Sequence, residues 1–414
     1  MSSVMEKCFV VLDHERMVPP FMISILKYAS NHYEKVYYIN THKPDIINLF
    51  ADTYIEIIYS DSFSRFKNSV IAFFRFFSLE NLRQWFFCIK KEGVNFGYTI
   101  NLLKYLAADE VLSNYTEKII ETNKGASVVV LATWFAAAAF AAAELKKKYP
   151  EIKAVSLAHS YEILPIRNRF IPYFYVNKKH KYLDGVFFIA STVREMYLEG
   201  IGGLPEEYYK KTHVKYLGSY KNHDVLNKIN PEEFHICTCS RMVSLKRLDI
   251  LMDALSLWNS GDIYWSHLGG GDLESFLKEK SIQVMERNPL VHISFEGYLR
   301  NEDVMKYYES RPVDLFINIS SIEGLPVSIM EAISYGIPVM ATDVGGTNEI
   351  INRKSGFLIN PAITPEYIKD QLLFFKNLPE EEKQELRKNA YQQWKETFDA
   401  ENNLKSLFSA IENS

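Results

Sequence analysis

The chain has 414 residues, which is enough for two domains that each bury a core. Its net charge of −4 and its ordinary charged fraction argue against nucleic acid as a partner, since DNA- and RNA-binding proteins usually carry a basic excess. Its four cysteines form no disulfide framework, and Cys237 and Cys239 have no metal ligands nearby in the sequence. We therefore expect buried thiols and a reduced, cytoplasmic location.

The first half of the chain alternates short apolar strands with helical patterns, which predicts a parallel α/β domain. The uncharged stretch from Ala126 to Ala143 has nearly the length of a membrane span. Its alanine content instead favours a buried strand followed by a buried helix. The predicted strands of this half are Cys8–Leu12, Val36–Ile39, Val128–Ala132, Ala154–Ala158 and Val186–Ile189.

An aromatic and basic segment runs from Phe63 to Lys91 and contains few acidic residues. Such a mixture suits docking at an anionic membrane surface. The alternative is a pair of helices whose aromatic side chains fill the core of the N-terminal domain. The sequence leaves both interpretations open.

The second half gives another alternating series, so the chain predicts two doubly wound domains. A polar, turn-rich stretch from Leu217 to Asp224 is a plausible linker, and the tail from about Pro365 has helical spacing. We predict an N-terminal domain over residues 1–217, a C-terminal domain over 218–395 and a last helix over 396–414 that returns toward the N-terminal domain. The predicted strands of the second half are Phe234–Cys239, Ile263–Leu268, His292–Phe295, Leu315–Ile319 and Pro338–Thr342.

Two carboxylates, Glu323 and Glu331, flank the junction between a strand and a helix that begins near Pro326. The free N–H groups and the positive dipole end of that helix would bind an anion between them. A pair of carboxylates in a sugar enzyme first suggests glycoside hydrolysis. Their placement on a loop and a helix around an anion site indicates a nucleotide-sugar site instead.

Other polar groups also follow predicted strands, where open α/β sheets bind ligands. Arg241 and Lys246 follow one strand near a helix start, although ordinary solvated loop charge would give the same pattern. Gly269–Gly271 follows the next strand but lacks the lysine and hydroxyl of a P-loop, and it is also consistent with a tight turn. In the first half, His159 directly follows one strand, and His14, Glu15 and Arg16 follow another. These residues are either catalytic or acceptor contacts or structural residues.

Together these elements resemble the retaining glycosyltransferases of family 4, which have the GT-B fold. The resemblance spans roughly Phe234 to Leu358 and consists of five elements in the family's order. They are the Arg/Lys segment Cys239–Arg247, the glycine loop His267–Gly271, the stretch Phe295–Leu299, the E-x7-E motif of Glu323 and Glu331, and the loop Asp343–Glu349.

The resemblance implies a role for each matching residue. Arg241 and Lys246 would neutralise the diphosphate of the donor, and Glu331 would accept hydrogen bonds from the ribose hydroxyls. Glu323 would hold the transferred sugar. The further donor-binding residues that the resemblance implies are Gly270, Tyr298, Gly324, Leu325, Val327 and Ser328.

The first half is similar to bacterial polysaccharide glycosyltransferases of this family, through Leu131–Trp134 and Ala158–Glu162. There the histidine lies near the transferred sugar, which makes His159 a catalytic candidate beside Glu323. His14, Trp134 and Glu162 are weaker candidates on the acceptor side. The chain departs from the family where it has Asp13–Met17 in place of a glycine-rich loop, and this concerns the acceptor more than the donor.

The implied protein is therefore an α/β, GT-B enzyme with two Rossmann-like domains facing a central cleft. It would move a hexose-type sugar from a nucleotide sugar, a UDP-sugar rather than a GDP-sugar, to a glycan or lipid-linked glycan in surface polysaccharide synthesis. No cofactor and no metal are expected, and the location would be cytoplasmic, at the inner face of the membrane. The alternatives are a sugar-nucleotide epimerase of the same fold and a catalytically silent binding protein.

Overall fold

The computed structural model describes residues 6–15, 18–44, 55–92, 96–163, 174–221, 225–228, 230 and 232–414. Arg16 of the first predicted loop and residues 222–224 of the predicted linker lie outside these ranges. The chain divides into two compact units. The N-terminal unit comprises Met1–Lys215 together with Leu404–Ser414, and the C-terminal unit comprises Tyr216–Asn403.

The N-terminal unit contains a parallel sheet of seven described strands in the order β3-β2-β1-β4-β5-β6-β7. The five predicted strands are confirmed within two residues at either end, while β3 and β7, at the two edges, were not predicted. The strands are β1 (Lys7–Asp13), β2 (Lys35–Asn40), β3 (Ile55–Tyr59), β4 (Ser127–Ala132), β5 (Lys153–Ala158), β6 (Gly185–Phe188) and β7 (Thr212–Val214).

Described helices follow β1, β3, β4, β5 and β6, in keeping with the crossover connections that parallel neighbours require. The helices are α1 (Pro20–Ser30), α2 (Ser62–Phe76), α3 (Leu79–Glu92), α4 (Phe96–Thr122), α5 (Ala137–Lys148), α6 (Ser160–Ile163), α7 (Val176–Tyr182), α8 (Ser191–Gly200) and α9 (Glu206–Tyr209).

The alanine-rich stretch forms β4 and α5, as predicted. The alanines of α5 from Ala137 to Ala143 are buried, because their small side chains allow the helix to pack closely. Among the described residues, no helix combines the length and the apolar character needed to cross a membrane.

The aromatic segment forms α2 and α3, and the core interpretation holds for only part of it. Phe76 is buried in a cluster with residues of α4 and α5, and Trp85 packs against that cluster. The core interpretation is wrong for the remaining phenylalanines of the two helices, which are at least half exposed. These exposed residues are Phe63, Phe66, Phe73, Phe74, Phe77, Phe86 and Phe87.

The C-terminal unit contains a second parallel sheet, with the described strands in the order β10-β9-β8-β11-β12-β13. All five strands predicted for this half are confirmed, and β13 was missed. They are β8 (Phe234–Cys239), β9 (Ile263–Leu268), β10 (Val291–Gly297), β11 (Leu315–Asn318), β12 (Val339–Thr342) and β13 (Gly356–Ile359). Both units are thus Rossmann-like and doubly wound, as the sequence predicted.

The helices of the second half include the predicted tail. They are α10 (Leu248–Ser256), α11 (Glu274–Arg287), α12 (Asn301–Ser310), α13 (Val327–Ser334), α14 (Thr347–Ile350), α15 (Pro365–Lys376), α16 (Glu380–Gln393) and α17 (Ala400–Asn413). A 3-10 turn (Ser244–Lys246) precedes α10, and a π-helical turn (Trp394–Phe398) precedes α17.

The end of α17 packs in the N-terminal unit. The Phe408 ring lies 5.2 Å from that of Phe9 and 4.6 Å from that of Tyr28, measured between centroids. Glu412 accepts hydrogen bonds from Lys7 Nζ at 3.1 Å and, through its backbone carbonyl, from Lys153 Nζ at 2.6 Å. The last turns of the chain therefore complete the N-terminal core.

Candidate nucleotide-sugar site

The strand order of the C-terminal sheet places its switch point between β8 and β11. From β8 the chain adds β9 and β10 on one side, and it then adds β11, β12 and β13 on the other. Ligands of doubly wound sheets bind at the carboxyl ends of the strands beside such a point. The loops after β8 and β11 meet there, because Ser321 N donates to Leu245 O at 2.8 Å.

Lys246 and Glu323 form an ion pair across this switch point. Lys246 Nζ lies 2.6 Å from Glu323 Oε1, and the two side chains are 19% and 10% exposed. A charge-assisted hydrogen bond that is this short and partly withdrawn from water is stronger than a surface pair. The structure thus brings together two residues that lie 77 positions apart in the chain.

Asn318 is a part of this arrangement that the sequence did not indicate. Its Nδ2 donates to Glu323 Oε1 at 3.2 Å, and its Oδ1 accepts from Ser320 Oγ at 2.6 Å. The side chain of Asn318 is held by Ser320, and its amide therefore fixes the position of Glu323. A polar residue at the end of a predicted apolar strand was the only signal.

Arg241 and Arg247 belong to one loop but have different surroundings. Arg247 donates from Nε to Ile319 O at 2.6 Å, from Nη2 to Ser320 O at 2.8 Å and from Nη1 to Pro361 O at 2.7 Å. Its backbone is left-handed, with φ of 53°. Arg247 therefore braces the loop after β11, a role that the sequence did not indicate.

Arg241 is exposed and makes no ion pair with any described residue. Its two neighbours are fixed to the loop after β9, because Ser240 N donates to Leu268 O at 3.0 Å and Met242 N donates to Gly270 O at 2.9 Å. The backbone at Arg241 is thus held in place while its charge has no carboxylate partner in this part of the chain.

The glycine loop allows the loops after β8, β9 and β10 to lie against one another. A Cβ on Gly269, where φ is 134°, would lie 2.0 Å from Ser240 O, so no side chain fits there. Gly269 N donates to Gly297 O at 2.8 Å, which brings in the loop that carries Tyr298. The Tyr298 ring is 81% exposed and is free to stack on a planar group.

Glu331 lies on α13 and is buried, with 7% of its surface exposed. Its Oε1 accepts from Asn301 Nδ2 at 2.5 Å, and this contact ties α13 to the start of α12. Burial raises the pKa of Glu331 to about 7, and the Asn301 hydrogen bond opposes that rise. A carboxylate that is buried with one fixed partner is poised to accept further hydrogen bonds.

The N-terminus of α13 presents backbone donors between the two carboxylates. No described residue accepts a hydrogen bond from the N–H groups of Gly324, Leu325, Val327 or Ser328. The loop after β12 supports this segment, since Gly346 N donates to Gly324 O at 2.6 Å. The N–H groups of these four residues are thus available at or just before the N-terminus of α13, where the helix dipole favours an anion.

The N-terminal unit has its own switch point, between β1 and β4, and Asp13 occupies it. Asp13 is fully buried, and its Oδ1 accepts from His14 N at 2.7 Å and from Trp134 Nε1 at 3.1 Å. Its Oδ2 accepts from Tyr38 Oη at 2.7 Å. Asp13, which the sequence did not single out, thus holds two of the weaker candidates, and burial lowers the pKa of the His14 imidazole.

His159 is held as a neutral ring. It lies 4.6 Å from the Trp134 ring and 4.9 Å from the Phe21 ring, between centroids, and its Nε2 is 3.2 Å from Thr133 O. Burial lowers the pKa of His159 to about 4, so the imidazole is uncharged near neutral pH. A carbonyl beside Nε2 selects the tautomer with the proton there, which leaves Nδ1 as the acceptor.

Glu162 and Lys179 bind the two backbone polar groups of Phe135, its N–H and its C=O. Glu162 Oε1 accepts from Phe135 N at 3.2 Å and from His159 N at 2.6 Å, while Lys179 Nζ donates to Phe135 O at 2.8 Å. Glu162 is 3% exposed and Lys179 is 0% exposed. Burial raises the pKa of Glu162 to about 8 and lowers that of Lys179 to about 7. We call these two residues the buried clamp; nothing in the sequence marks Lys179.

Across the described residues, no group of three or more His, Cys, Asp or Glu side chains is arranged to hold a metal ion. Cys8, Cys88 and Cys237 are buried thiols, as expected, and Cys239 is partly buried. Burial raises the pKa of the Cys8, Cys237 and Cys239 thiols.

Comparison with known proteins shows what the C-terminal half of the chain is similar to. Residues 219–393 match the family described as glycosyl transferases group 1. The GtfA subunit of the UDP-N-acetylglucosamine–peptide N-acetylglucosaminyltransferase of Streptococcus agalactiae is 30% identical over 156 residues, 34% of this chain and 28% of that protein. The O-antigen biosynthesis glycosyltransferase WbnH of Escherichia coli is 33% identical over 121 residues, 29% of this chain and 31% of that protein. The chain therefore spans about a third of the length of these curated relatives.

A solved structure extends the likeness to the whole chain. The crystal structure of Anabaena Alr3699/HepE in complex with UDP aligns with 99% of this chain and 100% of its own, with a TM-score of 0.67 and 15% identity. At this identity the likeness shows the fold, which is GT-B. Residues 219–393 match the model of the glycosyl transferases group 1 family, and this match confirms the resemblance to glycosyltransferases seen in that part of the sequence.

Proposed function

We propose that the protein is a retaining glycosyltransferase of family 4. It moves a hexose-type sugar from a nucleotide sugar to a glycan or lipid-linked glycan during surface polysaccharide synthesis. The observation that carries the proposal is the contact of Lys246 with Glu323 at the switch point, beside N–H groups that have no acceptor in the described part of the chain. A cation, a carboxylate and an anion site in one place match the parts of a nucleotide sugar.

The diphosphate is assigned to Arg241, Lys246 and the N–H groups of Val327 and Ser328. Charge grows on the departing phosphate as the glycosidic bond breaks, and donors that are already in place stabilise that charge without reorganising. Arg241 has no carboxylate partner among the described residues, so its charge is available to the phosphate. We assign to these groups the charge neutralisation that a metal supplies in other transferases, and we propose that no cofactor takes part.

The nucleoside is assigned to Glu331, Gly270 and Tyr298. Glu331 accepts from the ribose hydroxyls, while the loop of Gly270 and Tyr298 receives the base. We favour UDP over GDP as the nucleotide. The choice is supported by the names of two similar proteins, the HepE structure with UDP and the GtfA subunit of a transferase that uses UDP-N-acetylglucosamine.

The transferred sugar is assigned to Glu323, to the N–H groups of Gly324 and Leu325, and to His159. The neutral imidazole accepts from a sugar hydroxyl through Nδ1. In the proposed same-face displacement the bond from the anomeric carbon to phosphate oxygen breaks, and the acceptor oxygen bonds to that carbon. The acceptor proton passes to the departing phosphate oxygen, so the atoms balance without an enzymic nucleophile.

The acceptor side is assigned to the N-terminal unit, with His14, Trp134 and Glu162 as its candidate residues. The name of WbnH, an O-antigen biosynthesis glycosyltransferase, supports a surface glycan as the acceptor. We propose a cytoplasmic location at the inner face of the cell membrane, where a lipid-linked glycan would lie, with peripheral contact through the segment Phe63–Lys91.

The two alternatives are less well supported. A silent binding protein has no need of Glu323, Glu331, Arg241 and Lys246 together. An epimerase would share the donor residues, but the relatives named above are transferases. Transfer of radiolabelled sugar to an acceptor glycan, rather than interconversion of free nucleotide sugars, separates the two enzymes.

A thermal-shift panel of UDP-sugars and GDP-sugars tests the proposal. A ligand that binds only the folded protein raises its stability, by about 2.7 kcal/mol at a hundred times its Kd. We expect UDP-sugars to raise the melting temperature of the wild type, and to raise it much less in the double variant Arg241→Ala, Lys246→Ala. The control is Arg353→Ala, Lys388→Ala, which removes two exposed cations away from this edge of the sheet. No shift with any nucleotide sugar, or a loss in the control as large as in the test variant, contradicts the proposal.

A further inference from the structure

The exposed face of α2 is an aromatic surface outside the candidate site. Its exposed apolar residues recur at helical spacing, so they share one side of the helix. The opposite side packs inward through Asn68, Ala72 and Phe76. The exposed apolar residues, with their exposed fractions, are Phe63 (76%), Phe66 (68%), Val70 (42%), Phe73 (50%), Phe74 (69%) and Phe77 (57%).

The exposed residues of α3 continue the same surface. Ring contacts run from Phe73 to Phe77, on to Phe76, and from there to Trp85 at 6.0 Å and Phe86, whose centroid lies 5.0 Å from that of Trp85. Trp85 Nε1 donates to Thr99 Oγ1 at 2.9 Å, which fixes the chain of rings to α4. Phe86 and Phe87 are 60% and 52% exposed, so the two helices present one aromatic face with a rigid base.

The charge around this face is positive. Between Ser62 and Lys90 the sequence contains five cations and one acid, in a chain whose net charge is −4. The acid, Glu80, is bound by Lys178 Nζ at 2.6 Å, and of the cations Arg75 is bound by Asp109 and Glu110. Lys67, Arg83 and Lys90 are exposed and make no ion pair with a described residue.

We infer that α2 and α3 form a docking surface for an anionic lipid bilayer. Phenylalanine rings bury apolar area at the boundary of headgroups and acyl chains, while lysine and arginine beside them attract anionic headgroups. A second copy of the chain is a poorer occupant of the same face, since pairing it with itself would bring two positive surfaces together. The inference extends the proposed location and does not depend on the proposed sugar transfer.

Phe66, Phe74 and Phe86 are the residues to change, because each is at least 60% exposed and lies outside the buried cluster. The test variant is Phe66→Ser, Phe74→Ser, Phe86→Ser. Phe76 is left intact, since it is buried and its loss would disturb the core. The matched control is Phe276→Ser, Phe374→Ser, two phenylalanines of the C-terminal unit that are each 53% exposed.

The experiment is co-sedimentation of the full chain with vesicles of phosphatidylcholine alone or with phosphatidylglycerol. We expect the wild type and the control to bind the anionic vesicles, and the test variant to partition at least about tenfold less. Lys67→Glu, Arg83→Glu, Lys90→Glu should also lose binding to anionic vesicles, because it removes the attraction but keeps the rings. Circular dichroism shows whether each variant is folded.

Equal sedimentation of the wild type and the test variant would overturn the inference, as would a wild-type dimer in sedimentation velocity that the test variant abolishes. Failure of vesicle binding with intact UDP-sugar binding would remove the docking surface and leave the proposed transferase standing. Vesicle binding without UDP-sugar binding would contradict the proposed transferase and leave the docking surface standing.

Discussion

The two switch points of the molecule have the same place in their sheets but hold their polar groups in different states. In the C-terminal unit, Lys246 and Glu323 are partly exposed, and the N–H groups of Val327 and Ser328 have no acceptor among the described residues. In the N-terminal unit, Asp13 and the buried clamp are withdrawn from water and bonded to the backbone. The C-terminal arrangement leaves backbone donors available to a charged ligand, whereas the N-terminal arrangement holds its buried polar groups in fixed positions.

This difference predicts that substitutions in the two units impair different properties of the protein. In the C-terminal unit, ligand binding or transfer should fall while the fold survives. In the N-terminal unit, stability should fall first, because a buried polar group that loses its partner keeps its desolvation penalty.

The largest effect is expected for Glu323→Ala. The variant removes the carboxylate assigned to the sugar, and we expect the transfer rate to fall at least about 100-fold. UDP affinity should stay within about threefold, because the ribose and diphosphate contacts remain. Steady-state transfer at saturating donor and calorimetric titration with UDP measure the two quantities. An unchanged transfer rate would show that Glu323 does not contribute to the reaction, and it would contradict the predicted difference between the two units.

The next effect is expected for Lys179→Met in the buried clamp. The change leaves Phe135 O without its donor and Glu162 without the nearby cation, and it should cost about 3 kcal/mol of unfolding free energy. Urea denaturation measures the loss. Lys181→Met, an exposed lysine of the same helix, is the control and should stay within about 0.5 kcal/mol. A K179M protein as stable as its control would show that the clamp is not structural.

Arg241 and Arg247 allow the same contrast inside one loop. Arg241→Ala should lower UDP affinity about tenfold without changing stability, since the side chain makes no ion pair among the described residues. Arg247→Ala should lose about 2 kcal/mol of stability, because three carbonyls lose a charged donor. Calorimetric titration with UDP and thermal melts separate the two outcomes, and the reverse pattern would exchange the roles of the two arginines.

The sequence was sufficient for most of the fold because the central strands are short, mainly apolar runs separated by helical patterns and turns. It failed at β3, β7 and β13, three edge strands that carry fewer buried side chains than the strands between them. It found Glu323 and Glu331 because both stand at a recognisable helix start. It did not separate Arg241 from Arg247, because the carbonyls that Arg247 binds come from residues more than 70 positions away.

Lys179 and the exposed phenylalanines of α2 show two further reasons why parts of the structure could not be predicted from the sequence. A lysine on a short helix looks solvated until the fold buries it beside Phe135, and only tertiary structure supplies that burial. The α2 residues had a usable signal, since their apolar positions cover both sides of one helix. That pattern predicts that one side faces the protein, but not what covers the other side.

The smallest effect is a pH dependence that Glu331 imposes on nucleotide binding. Burial raises its pKa to about 7, and ribose hydroxyls donate stronger hydrogen bonds to the ionised carboxylate than to the protonated carboxyl group. UDP affinity should therefore increase about threefold from about pH 6 to about pH 8. Glu331→Gln keeps an oxygen for Asn301 Nδ2 but cannot ionise, so its UDP affinity should be lower and nearly independent of pH. Calorimetric titration across this range measures both proteins.

The same group sets the direction of a stability change in the free protein. The folded pKa of Glu331, about 7, lies above its ordinary value of 4.5, so the folded state holds the proton more tightly than the unfolded state. The contribution of Glu331 to stability is thus complete below about pH 4.5 and is lost as the pH rises to about 7. Glu331→Gln lacks this loss, and it should gain stability relative to the wild type between about pH 5 and about pH 8. If urea denaturation gives the same difference at both pH values, Glu331 is ionised in the fold, and the predicted pH dependence of UDP binding is wrong with it.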